Sequence, residues 1–217
     1  MRFSDVYKVL TSILDAVLPR KQRTVAIDGY TEENLHVSPE EHEAGGKRIL
    51  TLLSYRDRAT EDLIRAVKYD GSTHAAQLLA GVLEEYLREE IAQLKMFSTK
   101  PIFLVPIPLH SSRERERGFN QIELILKNLS VEFRGGAACR AAPLLKRTRA
   151  TPPQTKLSRS SRLKNVQGAF AVTTQEIKNT HLFVIDDVTT TGATLCEAAK
   201  TLEKSGASVS LLALARA

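Results

Sequence analysis

Four consecutive apolar residues run straight into two carboxylates near the C-terminus: Leu182-Phe183-Val184-Ile185-Asp186-Asp187. An uninterrupted apolar run of this length reads as a strand buried on both faces, which is the habit of parallel sheets in α/β proteins. The expected strand ends at the acid pair. Val188-Thr189-Thr190-Thr191-Gly192-Ala193-Thr194 follows, and then Leu195, Ala198, Ala199 and Leu202 fall on one face of a helix. The order is strand, polar loop, helix, and ligands of open α/β sheets collect at the carboxyl ends of such strands.

The residue types in the loop suit an anion. Small residues let backbone N–H groups approach closely, threonine hydroxyls add donors, and a helix N-terminus adds partial positive charge. Together they make a phosphate cradle. It is not a Walker loop, because it contains no lysine and no Gly-Lys-Ser/Thr follows. An ordinary turn and helix cap would use Asp and Thr too, but not this whole string. Two carboxylates just before a phosphate cradle suit a ribose 5-phosphate accompanied by Mg²⁺. Asp186 and Asp187 would accept hydrogen bonds from ribose hydroxyls or hold the waters of the metal.

The string resembles the signature of type I phosphoribosyltransferases, which bind 5-phosphoribosyl-1-pyrophosphate (PRPP). Their pattern is four apolar residues, two acids, an apolar residue and a Thr-Thr-Gly-x-Thr loop. All of it is present, with one extra threonine, Thr189.

The rest of the chain supplies a second anion-binding candidate. Phe103-Leu104-Val105-Pro106-Ile107-Pro108-Leu109 reads as a strand stopped by Pro106 and Pro108. A charged loop, residues 111–121, then opens a helix through Ile122, Ile125, Leu126 and Leu129. Arg117, beside Gly118 and Asn120-Gln121, is the functional candidate of that loop. Arg113 and Arg115 read equally well as a solvated face. Residues 146–165 form a long basic connection between strands at Leu144-Leu145 and residues 168–172, the length of a lid rather than of a simple turn. From residue 100 to 168 there are fourteen Lys/Arg against four Asp/Glu, so a polyanionic partner is expected there.

Earlier in the chain, residues 4–18 have helical spacing and Val25-Ala26-Ile27 a possible short strand. Residues 31–47 are polar and acidic and read as a loop or peripheral hairpin. Residues 49–55 read as a strand, then come helices over 60–69 and 72–94, separated by Asp70-Gly71. Lys204-Ser205-Gly206 stops the helix after the central motif. Residues 209–214 form a last strand, expected at an edge or next to one.

With 217 residues and 42% hydrophobic composition, the chain can bury a full core. No apolar run approaches a membrane span, and Met1-Arg2-Phe3-Ser4-Asp5 lacks a signal-peptide pattern, so a cytoplasmic protein without membrane insertion is expected. Cys139 and Cys196 form no metal-spaced pair. No histidine is assigned a catalytic role. His110 lies near the second loop; His36, His42, His74 and His181 read as surface or packing residues.

Several motifs in order narrow the resemblance. These are Val67-Lys68-Tyr69-Asp70-Gly71, Val105-Pro106-Ile107-Pro108-Leu109-His110 and Arg117-Gly118-Phe119-Asn120-Gln121. After them come Arg147-x-Arg149-x-Thr151-x-Pro153-Gln154, Arg162-x-x-Asn165-Val166-x-Gly168-Ala169-Phe170 and the acid-pair string. Residues 55–217 are similar in this way to the ComF family, which includes late competence proteins and a relative linked to gluconate utilisation. Many members begin with a four-cysteine zinc module, and none is present here.

The resemblance implies a type I phosphoribosyltransferase fold over 55–217, with a zinc-free appendage over 1–54. It implies PRPP as ligand, Mg²⁺ as cofactor and ribosyl-phosphate transfer to an unidentified acceptor. Asp186 and Asp187 would be the catalytic pair and would orient the metal through water. Thr190, Thr191, Gly192, Ala193 and Thr194 would hold the 5-phosphate, with Thr189 at the rim. Pro106, Ile107, Pro108, Arg117 and Arg162 would bind pyrophosphate. Two further readings stay open: a protein that handles single-stranded DNA with the competence machinery, and a PRPP sensor without turnover. The oligomeric state is not readable.

Overall fold

A computed structural model describes residues 27–135, 140–149, 165–174 and 177–217. The expected helix at 4–18, Cys139, Arg162 and most of the basic connection lie outside the described residues.

The apolar runs form a six-stranded sheet in the order β1-β2-β8-β7-β3-β4. The strands are β1 (Val37–Ala44), β2 (Lys47–Ser54), β3 (Ile102–Pro106), β4 (Arg140–Ala141), β7 (His181–Thr189) and β8 (Ser208–Arg216). β2, β8, β7, β3 and β4 are mutually parallel, and only the hairpin β1–β2 is antiparallel. β5 (Leu145–Arg147) and β6 (Phe170–Val172) make a separate antiparallel ribbon. This is the mostly parallel α/β sheet with flanking helices that the sequence predicts.

Strand alternation divides the core into two halves. On one face Leu104, Phe183, Ile185, Leu212 and Leu214 meet helices α1 (Arg58–Arg65), α2 (Thr73–Phe97) and α4 (Gln121–Leu126). Leu79, Leu83, Leu87 and Ile91, four residues apart, are the stripe that α2 buries. On the other face Val105, Leu182, Val184, Leu211 and Ala213 meet α6 (Ala193–Glu203) and the ribbon. Burying each large side chain in these layers contributes about 1.5–3 kcal/mol.

Three expectations change. Residues 37–54, assigned to a separate appendage, supply two strands of the main sheet, so a division at residue 54 does not coincide with a sheet edge. Of the two readings of residues 31–47, the peripheral hairpin is the one found: residues 37–44 are its outer strand. β8, expected at or beside an edge, is third of six strands; Leu211 to Ala215 are all buried because neighbours flank it on both sides. The charged stretch 111–117 is a helix, α3 (Ser111–Arg117), capped by His110. A short helix α5 (Val131–Arg134) precedes β4.

Candidate functional site

β3 and β7 lie side by side, but the chain leaves them in opposite directions. From β3 it passes through α4 outward to β4, and from β7 through α6 to β8. Such a reversal opens a crevice at the carboxyl ends of the two strands, the usual place for a ligand in an open α/β sheet. Ile107 N donates to Ile185 O at 2.9 Å, so the β3–β7 pairing reaches the start of the Pro106-Ile107-Pro108 loop.

The acid pair does not end its strand. β7 continues to Thr189, which pairs with Arg216 of β8. Strand alternation gives Asp186 and Asp187 different neighbours, while at this strand end their carboxyls stay within hydrogen-bond reach of each other. Asp187, 7% exposed, faces the α4 side. Its Oδ2 accepts from Gln121 Nε2 at 3.3 Å and lies 3.7 Å from Lys68 Nζ. Arg117 Nη1 donates to Gln121 Oε1 at 2.5 Å, and the guanidinium stands 5.8 Å from the centre of the Tyr69 ring. Phe119 lies where a side chain on Gly71 would point (φ +63°). The Lys68 segment and the Arg117 segment, far apart in sequence, thus close on one carboxylate.

Asp186 is half-buried on the α6 side. Burial, followed by the charge and hydrogen bond of Asp187, pushes its carboxyl well above the usual carboxylate range. The Asp187 backbone N–H, which donates to Asp186 Oδ1 at 2.9 Å, and the charge of Lys68 offset part of this. Asp186 also acts on Arg147 of β5. Burial and the charge of Arg113 hold that guanidinium below its usual value, Asp186 partly restores it, and Arg149 lowers it further. Arg113, Arg147 and Arg149 are thus a cationic cluster on the Asp186 side, with Arg147 5.6 Å from the centre of the Phe170 ring.

The loop after β7 is short, residues 190–192, and α6 starts at Ala193. Gly192 has φ +71°, and a Cβ there would collide with Ile49 and Ala44. Both facts require glycine. Thr190 is exposed, Thr194 half-buried, and Thr189 and Ala193 are buried. The Thr191 Oγ1 is buried with no hydrogen-bond partner. The backbone N–H groups of the first turn of α6 open onto this loop.

The predicted phosphate residues and the Pro106-Ile107-Pro108 loop therefore meet at one crevice. Asn120 fixes the second loop, donating from Nδ2 to Ile107 O at 3.0 Å while its Oδ1 caps α4. Arg117 stands on the Asp187 side rather than among the cations beside Asp186. His110 accepts from Ser112 N and is a helix cap. Lys68, Gln121 and Arg147 received no role from the sequence, although each lies inside a motif that carried the family resemblance. Among the described residues no group of three or more His, Cys, Asp or Glu could hold a metal. No helix of the described residues is long and apolar enough to cross a membrane.

No family model matches the chain. It is 33% identical to Competence protein F of Haemophilus influenzae over 160 residues, 71% of this chain and 67% of that one. It is 31% identical to the DNA utilization protein YhgH of Escherichia coli K12 over 163 residues, covering 74% and 68%. Against Competence protein ComFC of Bacillus subtilis the identity is 29% over 208 residues, 95% and 68%. In a further match, to YhgH of Salmonella typhi, the chain spans only 56% of the relative's length. Among solved structures, a hypoxanthine phosphoribosyltransferase from Staphylococcus aureus aligns over 67% of this chain and 65% of its own, at 14% identity and a TM-score of 0.36.

Proposed function

The chain belongs to the ComF family of competence proteins, and from that premise we propose that it binds PRPP in the crevice between β3 and β7. The observation that carries this reading is Thr191 Oγ1, a buried hydroxyl without a partner, in a tight loop between two carboxylates and a helix N-terminus. A buried polar group left unsatisfied is costly, and a phosphate oxygen would satisfy it.

In this reading Thr190, Thr191, Gly192, Ala193 and Thr194 hold the 5-phosphate, and Thr189 anchors the loop to the sheet. Asp186 and Asp187 accept hydrogen bonds from the ribose hydroxyls. Pro106, Ile107 and Pro108 shape the pyrophosphate loop. Arg113 and Arg147 provide its countercharge, and Arg162 is assigned there on the resemblance alone. Arg117 keeps Gln121 against Asp187.

The donor set fits Mg²⁺ that arrives with the ligand. Two hard carboxylates without a third protein ligand cannot cage a metal, but Mg²⁺ commonly takes one or two carboxylates and completes its shell with water and substrate phosphates. Asp186 and Asp187 would hold it, and it would neutralise charge on the departing pyrophosphate. Transfer then forms a bond from the acceptor's lone pair to ribose C1. The C1–O bond to pyrophosphate breaks, its electron pair leaves with pyrophosphate, and the acceptor's proton passes to solvent. The chain's part is positioning and charge stabilisation, with no covalent residue.

The test is titration calorimetry with PRPP and Mg²⁺ on the wild type and on Asp186→Asn/Asp187→Asn. Loss of binding in the double variant supports the site, and equal binding overturns it. Pyrophosphate release across candidate bases and amines separates transfer from binding alone.

The cluster Arg113, Arg147 and Arg149 favours a second reading, in which the cationic face holds nucleic acid. Stacking surfaces for single strands are scarce beside it. Phe133 and Phe170 are buried, and Phe103 and Phe119 half-buried. Single-stranded DNA affinity that survives charge reversal at Arg147 and Arg149 would exclude this face as its seat.

A further inference from the structure

The loop 190–192 is closed on its far side by the hairpin β1–β2. Ala44 and Ile49 are the side chains that a Cβ on Gly192 would strike. The hairpin is fastened to α6 as well. Cys196 Sγ donates to Ala44 O at 3.0 Å, and Lys47 Nζ lies 2.6 Å from Glu203 Oε1. His42 stands opposite Ile49 in the antiparallel ladder and two residues before Ala44. Strand alternation therefore places its imidazole on the face that carries both Gly192 neighbours.

β1 is an edge strand and is exposed along most of its length, yet both ring nitrogens of His42 are buried with no hydrogen-bond partner. Thr191 Oγ1, next to Gly192, is in the same condition. Two half-buried side chains whose polar atoms are buried and without partners, one on the loop and one on the hairpin face beside it, point to a ligand that presents oxygens to both. The charged groups acting on His42 are Arg216, at the end of β8, and Glu40, on its own strand; these two lie 3.9 Å apart. Burial holds the imidazole below its usual pKa, Arg216 adds to the effect and Glu40 offsets part of it. The ring is thus neutral in the absence of ligand near neutral pH, with one N–H donor and one acceptor nitrogen.

We propose that His42 is a direct ligand of the phosphate held by loop 190–192, contacting it from the hairpin side while Thr191 and the first turn of α6 hold the other. The proposal rests on the phosphate reading of that loop. It makes β1–β2 part of the binding site, and it changes His42 from a packing residue to a binding one. A dianionic phosphate monoester would draw a proton onto the ring and turn both nitrogens into donors.

The test uses the full chain and ribose 5-phosphate, which occupies this loop alone, with inorganic pyrophosphate as the probe of the other. His42→Gln and His42→Ala are expected to weaken ribose 5-phosphate binding by about tenfold or more, the usual scale for a charge-assisted hydrogen bond. Pyrophosphate affinity should stay within about twofold, since no shared contact couples the two loops through this residue. Ribose 5-phosphate binding unchanged in both variants overturns the role of His42 and leaves the phosphate loop standing. Absence of ribose 5-phosphate binding by the wild type overturns the loop reading and this inference with it. Should a variant fail to fold, the imidazole nitrogen shifts of wild-type His42 decide. Movement of both nitrogens on adding ribose 5-phosphate supports the contact, and unchanged shifts overturn it.

Discussion

Lys68 Nζ lies 3.7 Å from Asp187 Oδ2, joining a residue just beyond α1 to the carboxyl end of β7. The same oxygen accepts from Gln121 Nε2, so one carboxylate is gripped from two helical segments. Removing the cation leaves a nearly buried charge held only by neutral donors, Gln121 Nε2 and the Val188 backbone N–H, which donates to Asp187 Oδ1 at 2.8 Å. Lys68→Met retains the aliphatic stem and should destabilise the fold by about 1–2 kcal/mol, below the range for a fully buried pair because Lys68 is a third exposed. Gln121→Leu should act on the same atom. The two changes combined should therefore be non-additive by about 0.5 kcal/mol or more in urea unfolding. Strict additivity would mean that the two contacts do not share Asp187.

The raised pKa of Asp186 carries a definite sign. In the folded state its carboxyl binds a proton more readily than in the unfolded chain, where the value is about 4. Stability attributable to this group falls as pH rises from the unfolded value through the folded one, and the penalty is complete above both. Asp186→Asn removes it. The variant should melt a few degrees above the wild type at pH 8, since about 1 kcal/mol corresponds to ~2–4 °C in a chain of this size. The gap should close near pH 4, and PRPP binding should be lost at both. Thermal melts at the two pH values check this; a variant less stable than the wild type at pH 8 contradicts it.

The legible parts of this molecule are those with a local cause. The run Leu182-Phe183-Val184-Ile185 had to be buried on both faces, and the acids, threonines and glycine after it announced an anion loop. Sheet order was not legible, because the place of β8 depends on pairing with β2 and β7, which lie elsewhere in the sequence. β1 is legible only as a loop or a peripheral hairpin, because an edge strand exposed along most of its length shows no apolar alternation, and Pro39 and three acids hide it further. α3 was missed because Arg113-Glu114-Arg115-Glu116-Arg117 carries no apolar periodicity. At the site, Asp186 and Asp187 are adjacent in sequence, but strand alternation gives them different neighbours. Asp187 meets Lys68 and Gln121, Asp186 the field of Arg147, and neither pairing leaves a local pattern.

Gly192 tests how tightly the hairpin holds the phosphate loop. Alanine there must keep φ +71° and place a methyl group against Ile49 and Ala44. The strained backbone and the overlap should together cost about 2–4 kcal/mol. Ala44→Gly in the Gly192→Ala background should recover part of the loss by relieving the overlap, while the dihedral strain persists. Thermal denaturation of the two single variants and the double variant measures both contributions. No recovery in the double variant would show that the hairpin yields freely at this point.

Arg113 and Arg147 repel one another, and burial adds to the cost of charging Arg147, with Asp186 as a partial offset. Two guanidinium groups held in that relation are poised for a multivalent anion, whose arrival offsets the repulsion. Arg147→Met keeps an apolar stem against Phe170 and removes the charge. It should weaken pyrophosphate binding by roughly tenfold, and flatten the dependence of that binding on salt, because one fewer charge contact is screened. Ribose 5-phosphate, seated at the far loop, should lose much less. A nucleic-acid face behaves differently: an oligonucleotide would show a steep salt dependence that falls by about one unit of slope in the variant, whatever its sequence. Titrations of pyrophosphate and of a single-stranded oligonucleotide at several salt concentrations distinguish the two. A pyrophosphate affinity indifferent to Arg147 would place the pyrophosphate site away from the Asp186 side of the sheet.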